Sequence, residues 1–184
     1  MIKKILIGLG ILVILLAAFI LSYFFYFTRL ASPEANLHFE NQEVQLDINY
    51  CQPGKKSRLI FGNEGEGALV PFGKYWRLGA NQATEIEFKQ AVLFNDVKVE
   101  AGKYRMYAIP NKDFWIIRLN SQLGEWGAIE PDYSLDVAET KVPTISTEET
   151  ELFTMTIKEK QNGALLIMKW DRTSVEIPLQ SIIK

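Results

Sequence analysis

Val44-Gln45-Leu46-Asp47-Ile48-Asn49-Tyr50 alternates apolar and polar residues at every step. Successive side chains of an extended strand point to opposite faces, so this stretch reads as a half-buried strand with Val44, Leu46, Ile48 and Tyr50 inward. Thr84, Ile86 and Phe88 alternate with Glu85, Glu87 and Lys89 in the same way. Outward from these two runs the pattern repeats. Ala91–Phe94 and Val97–Val99 flank the turn pair Asn95-Asp96, and Tyr104–Ile109 and Phe114–Leu119 flank Pro110-Asn111-Lys112-Asp113. Leu152–Ile157 precedes an Asn162-Gly163 hairpin signal, and the apolar run Leu165–Trp170 reads as a central strand. Asp171-Arg172 reads as a turn into Thr173–Ile177, and Glu148–Glu151 has room for a single helical turn at most. The expected fold class is all-β: a β-sandwich or flattened barrel of about eight to ten mostly antiparallel strands.

Residues 5–27 have a different character. Ile5 to Phe27 carries no charge, and at about 1.5 Å per residue a helix of that length crosses the hydrocarbon core of a bilayer. Lys3 and Lys4 precede it and Arg29 alone follows, which by the positive-inside rule keeps the N-terminus in the cytoplasm. Tyr23–Phe27 is an aromatic cluster of the kind found at a membrane interface. A cleaved signal peptide is the competing reading. Its apolar region is usually only about 7–15 residues, and cleavage after Ala31 would put Arg29 where a small residue is wanted. The expected organisation is therefore a cytoplasmic tip (1–4), a transmembrane signal-anchor (5–27), a tether (28–36) and an extracytoplasmic, periplasmic β-domain (37–184). The expected location is a bacterial inner membrane, crossed once.

Charge and residue types narrow the chemistry. The chain has 20 basic and 22 acidic residues; residues 1–30 hold three of the bases and no acid, so the remainder carries a net charge of −5. That argues against nucleic acid or an anionic membrane surface as a partner. One histidine, His38, and one cysteine, Cys51, make no zinc or copper site, and no metal or other cofactor is expected. Cys51 reads as a small buried hydrophobe, with Lys55, Lys56 and Arg58 keeping a reactive thiol open. Glu64-Gly65-Glu66-Gly67 reads as a flexible acidic loop. Glu85 and Glu87 share a strand face at about 7 Å, the spacing of glycosidase carboxylates, but the apolar residues between them assign that face to water. Gly54-Lys55-Lys56-Ser57 lacks the first glycine and the strand-to-helix setting of a phosphate loop.

The concentrated polar and aromatic stretch is Trp76-Arg77-Leu78-Gly79-Ala80-Asn81-Gln82-Ala83-Thr84. Arg77 suits a carboxylate or phosphate, Asn81 and Thr84 offer hydrogen bonds, and Trp76 offers a stacking face. Trp126, in the long segment Asn120–Leu135, is expected as a second wall. The alternative is structural: Gly79-Ala80-Asn81 as a tight corner, the tryptophans in the core, and Arg77 paired with a buried acid such as Asp136.

Tyr50-Cys51-Gln52-Pro53, Ile60-Phe61-Gly62, Leu69-Val70-Pro71-Phe72-Gly73 and Trp76–Thr84 together resemble a bacterial family, the domain of unknown function 2911 group. Ala101-Gly102-Lys103-Tyr104 and Glu125-Trp126-Gly127-Ala128 resemble two further elements of it, which adds Tyr104 to the candidate ligand-binding residues Trp76, Arg77, Asn81, Thr84 and Trp126. The resemblance implies no activity and no catalytic residue. Three functions fit these residues. The first is a binding module for a small molecule, glycan or envelope partner. The second is a hydrolase of glycans or envelope components using Glu125 or Asp136, and the third is a structural envelope protein.

Overall fold

The computed structural model describes residues 2–182. Helix α1 spans Ile2–Ala31, with none of its residues buried. It is long and apolar enough to cross a membrane, and its place at the N-terminus is also that of a signal sequence. The helix ends at Ser32-Pro33, and strand β1 (Glu34–Glu40) follows at once. The expected tether over 28–36 is thus the last turn of α1, a two-residue link and the start of a strand. Proline disfavours helix in the residue before it, which is why the break falls there.

Eleven further strands follow: β2 (Gln45–Cys51), β3 (Phe61–Gly62), β4 (Val70–Pro71), β5 (Thr84–Phe88), β6 (Val92–Phe94), β7 (Val97–Val99), β8 (Gly102–Pro110), β9 (Phe114–Asn120), β10 (Asp136–Pro143), β11 (Ile145–Lys160) and β12 (Gly163–Ser181). Six form one antiparallel sheet in the order β1-β2-β5-β8-β9-β10, and four form a second in the order β11-β12-β6-β7. The short β3 and β4 pair in parallel beside them. The sheets stay open and do not close into a barrel.

The core lies between the inner faces. Leu46, Ile48, Ile86, Phe88, Met106, Ala108, Ile117 and Leu119 of the large sheet meet Phe153, Met155, Leu166, Met168, Trp170 and Ile177 of the small one. Fully burying such side chains stabilises by roughly 1.5–3 kcal/mol each. The sheets are also tied by polar groups. The Met155 amide donates to Tyr50 Oη at 2.9 Å, and Asn95 Nδ2 donates to Thr140 Oγ1 at 2.8 Å.

Three local segments differ from their sequence reading. Asp171-Arg172 does not turn the chain. Asp171 takes a left-handed φ of 53° inside the continuous strand β12, opposite register shifts in β11 between Ser146 and Thr154. Glu148–Glu151 belongs to β11 and not to a helical turn. Lys55 Nζ holds this irregularity, 2.7 Å from Asp171 and 3.0 Å from Glu149. The acidic loop folds as one turn of 3-10 helix, Glu64–Glu66, with Glu66 accepting from the Asn63 amide at 2.7 Å.

Candidate functional site

The six candidate residues do not converge on one cleft. Strand-like alternation through Tyr75–Leu78 sends Trp76 and Leu78 into the core and Tyr75 and Arg77 to the other side. Trp76 is buried among Phe61, Trp115, Phe153 and Trp170, with ring centroids 4.9–5.7 Å away. Its expected stacking face is therefore largely covered by the protein, and what remains lines a cavity of about 180 Å³ with Arg77, Gly79 and Ala80. The Thr84 hydroxyl is fully buried and donates to Leu78 O at 2.7 Å. That bond closes the corner containing Gly79 (φ 150°) and Asn81 (φ 58°). A side chain on Gly79 would meet Cys51 O at 2.7 Å, so this corner needs glycine. Tyr104 packs on the core side against Phe88, and its hydroxyl donates to Glu100 O at 3.1 Å.

Asn81, Arg77 and Trp126 do come together, along a seam between segment 75–84 and loop 121–135. The Gly127 amide donates to Asn81 O at 3.1 Å, and the Tyr75 hydroxyl donates to Gly127 O at 2.9 Å. Gln82 and Trp126 form an isolated antiparallel bridge. Arg77 runs along Gly127, whose missing side chain makes room: a Cβ there would lie 2.6 Å from Arg77 Cδ. Asp136 is not its partner, and among the described residues no carboxylate pairs with Arg77. Burial lowers its pKa, with the like charge of Arg105 adding to the effect. The end of α1 docks on the same seam. Asn81 Nδ2 donates to Thr28 O at 3.3 Å and Ser32 O at 3.4 Å, and Phe25 meets Trp126 edge-on at 6.3 Å. The donors of Asn81 thus serve carbonyls that a helix end leaves without intrahelical partners.

A cavity of about 220 Å³ opens at the seam, lined by Glu34, Cys51, Gln82, Glu85, Gly124 and Glu125 among others. Cys51 is buried with its Sγ 3.7 Å from Gln82 Oε1, and burial pushes the thiol pKa up. This matches the structural reading of Cys51. Glu85 is turned toward Lys103 and the Gly124 amide, and Glu87 pairs with Lys89 at 2.7 Å. The two carboxylates of β5 are thus held by separate cations.

Beneath loop 121–135 lies a polar layer on the outer face of the large sheet. Tyr107 donates to both oxygens of Asp136, at 2.9 and 2.7 Å. Asn120 Nδ2 donates to Asp136 Oδ1 at 2.7 Å, and Arg118 Nη1 to Oδ2 at 3.2 Å. Burial and the Asp136 bond raise the Tyr107 pKa, keeping the phenol a donor. Asp136 is thereby fully committed. Arg105 is only 1% exposed; its Nη2 donates to Tyr75 Oη and Ile129 O. Its Nε and Nη1 are buried without a partner among the described residues. A buried donor left unpaired costs about 1–3 kcal/mol, and more on a charged group. Arg105 and Tyr107 were absent from the sequence candidates. The available signal was a charge inside the apolar run Tyr104–Ile109, alternating with Met106 and Ala108.

Fold and site together define a class: an open two-sheet β-domain behind an apolar helix, with a buried polar and aromatic layer outside one sheet. The chain belongs to the family "Protein of unknown function (DUF2911)", whose model matches residues 32–179. The match begins at the end of α1. No curated protein and no solved structure matches the chain.

Proposed function

We propose that the chain is a membrane-tethered, extracytoplasmic binding module whose ligand is met at the seam between segment 75–84 and loop 121–135. The observation that carries this reading is the docking of the helix end on that seam through Asn81 and through the Phe25–Trp126 contact. Phe25 belongs to the aromatic cluster Tyr23–Phe27, and aromatic residues favour the membrane interface. With α1 in a bilayer, the seam lies at the surface of the membrane. Leu123, Trp126 and Ile129 expose apolar surface on the same loop.

Binding is favoured over hydrolysis by the fate of the two acids. Asp136 is held by Tyr107, Arg118 and Asn120, and Glu125 lines the seam cavity away from that cluster. A general acid must reach the bond it protonates, and Asp136 has its oxygens occupied.

Trp126 is the one tryptophan more than a third exposed, which gives a direct test. The full chain is placed in bilayer nanodiscs containing brominated lipid, and tryptophan fluorescence is read. The reading requires quenching in the parent that disappears in Trp126→Phe. Equal fluorescence in brominated and ordinary lipid would place the seam away from the membrane and contradict it.

A further inference from the structure

We infer that Arg105, together with Arg77 and Tyr75, forms a binding site for an oxyanion, a carboxylate or phosphate group, beneath loop 121–135. This deepens the binding reading above and rests on it.

Arg105 sits in mid-strand on β8, with Glu85 of β5 and Asn120 of β9 directly across from it. Both neighbours are already engaged. The Glu85 carboxylate is turned to Lys103 and the Gly124 amide, and the Asn120 amide group to Asp132 O and Asp136. The guanidinium therefore keeps two buried N–H-bearing atoms, Nε and Nη1, with no acceptor among the described residues. Buried charges are ordinarily paired, because a lone one forfeits its hydration. Nε and Nη1 lie on different edges of the guanidinium, either side of the engaged Nη2, so each offers its own charge-assisted hydrogen bond to an oxyanion.

Arg77 adds a second cation on the same side: it runs along Gly127, whose carbonyl accepts from the Tyr75 hydroxyl that Arg105 Nη2 also meets. Among the described residues it too has no carboxylate partner. Two such cations brought together by a fold repel each other, and an anion between them turns that repulsion into attraction. Tyr75 stands by them, its ring 5.6 Å from Arg105 Cζ and its hydroxyl fixed between Arg105 and Gly127 O. Arg118, in the same layer, also keeps a buried Nε without a partner among the described residues, but its charge is neutralised by Asp136 and Glu139. The roof is the segment Gly127–Glu130, joined to the rest of the seam by few bonds: Gly127 to Asn81 and to Tyr75, and Ile129 O to Arg105. Lifting this segment takes Ile129 O from Nη2, exposes the partnerless donors beside it and gives a route in from the membrane side.

The test uses the full chain in nanodiscs of zwitterionic lipid, with inorganic phosphate or acetate titrated against chloride at constant ionic strength. A saturable rise in melting temperature, matched by calorimetric binding, is expected with at least one of the two. Arg105→Met is expected to abolish it, and Arg77→Met to weaken it about tenfold or more. A second arm replaces part of the lipid with a phosphatidate-type phospholipid and repeats the melt. Stabilisation by that lipid, reversed by free phosphate, assigns a headgroup as the source; stabilisation by free anion alone assigns a soluble ligand. If neither anion nor lipid shifts the parent's melting, the inference is overturned, whatever the variants do. It is overturned equally if Arg105→Met binds like the parent, which would leave the guanidinium as a water-satisfied structural group. A neutral ligand retained by the purified chain, with no anion effect, would overturn this inference and leave the binding reading standing.

Discussion

Thr84, chosen from the sequence for its hydroxyl, spends that hydroxyl on Leu78 O inside the domain. Thr84→Val is expected to leave a buried carbonyl unpaired and to cost about 1–3 kcal/mol in urea unfolding. Trp76→Ala removes an indole packed by four other aromatic rings and is expected to cost about 3–5 kcal/mol. A Trp76→Ala protein that melts like the parent would contradict its place in the core. These outcomes define what was legible at this scale. Residue types were visible; partners were not. Phe61, Trp115, Phe153 and Trp170 come from β3, β9, β11 and β12, and no local pattern states that they meet Trp76. Asp136 was visible as an acid suited to an arginine, yet Arg118 stands nearer to it than Arg77 because β9 and β10 are neighbours.

Among the elements, loop 121–135 carries the consequences. Its long, irregular stretch was readable as a candidate from length alone, and Trp126 from its type. What lies beneath it was not, because Arg105 and Tyr107 sit in the strand segment Tyr104–Ile109, and its turn-bounded pattern does not state what its polar members meet. Gly127→Ala puts a methyl group against Arg77 Cδ and within 2.8 Å of backbone atoms of Asn81 and Gln82. It is expected to destabilise by about 1–3 kcal/mol and to raise amide exchange across the loop, which hydrogen exchange would detect. Alkali tests the same element. Burial and Glu130 raise the Tyr133 pKa from 10.0 to about 12, and Tyr107 is raised as well. A phenol whose folded pKa is raised contributes stability that is fully present below pH 10. That contribution is lost as the pH climbs through the folded value. Phenolate absorbance of these two tyrosines is therefore expected to appear only above pH 10, together with loss of the loop's protection. Ionisation at pH 10 with the loop still protected would contradict the packing described. The Asp171 irregularity shows the opposite error. A turn-forming pair in the sequence became a left-handed step in β12, because β11 runs alongside and keeps both halves in one sheet.

For the whole molecule, the two-sheet fold was readable from period-2 alternation and hairpin signals; the order β1-β2-β5 was not. That neighbourhood brings the start of the β-domain, and with it the end of α1, beside Asn81. If α1 spans the membrane with its lysines inside, protease added to spheroplasts should digest the β-domain; full protection would reverse the topology. The central claim is that the seam at the helix end holds a ligand and that Arg77 faces it. The most direct measurement is native mass spectrometry of the full chain extracted gently from its own membranes, paired with melting curves. The account requires a discrete bound mass on the parent, absent from Arg77→Ala, with the melting temperatures of the two within a few degrees. An unliganded parent, or an Arg77→Ala protein that collapses in stability, would contradict it and make Arg77 a structural residue.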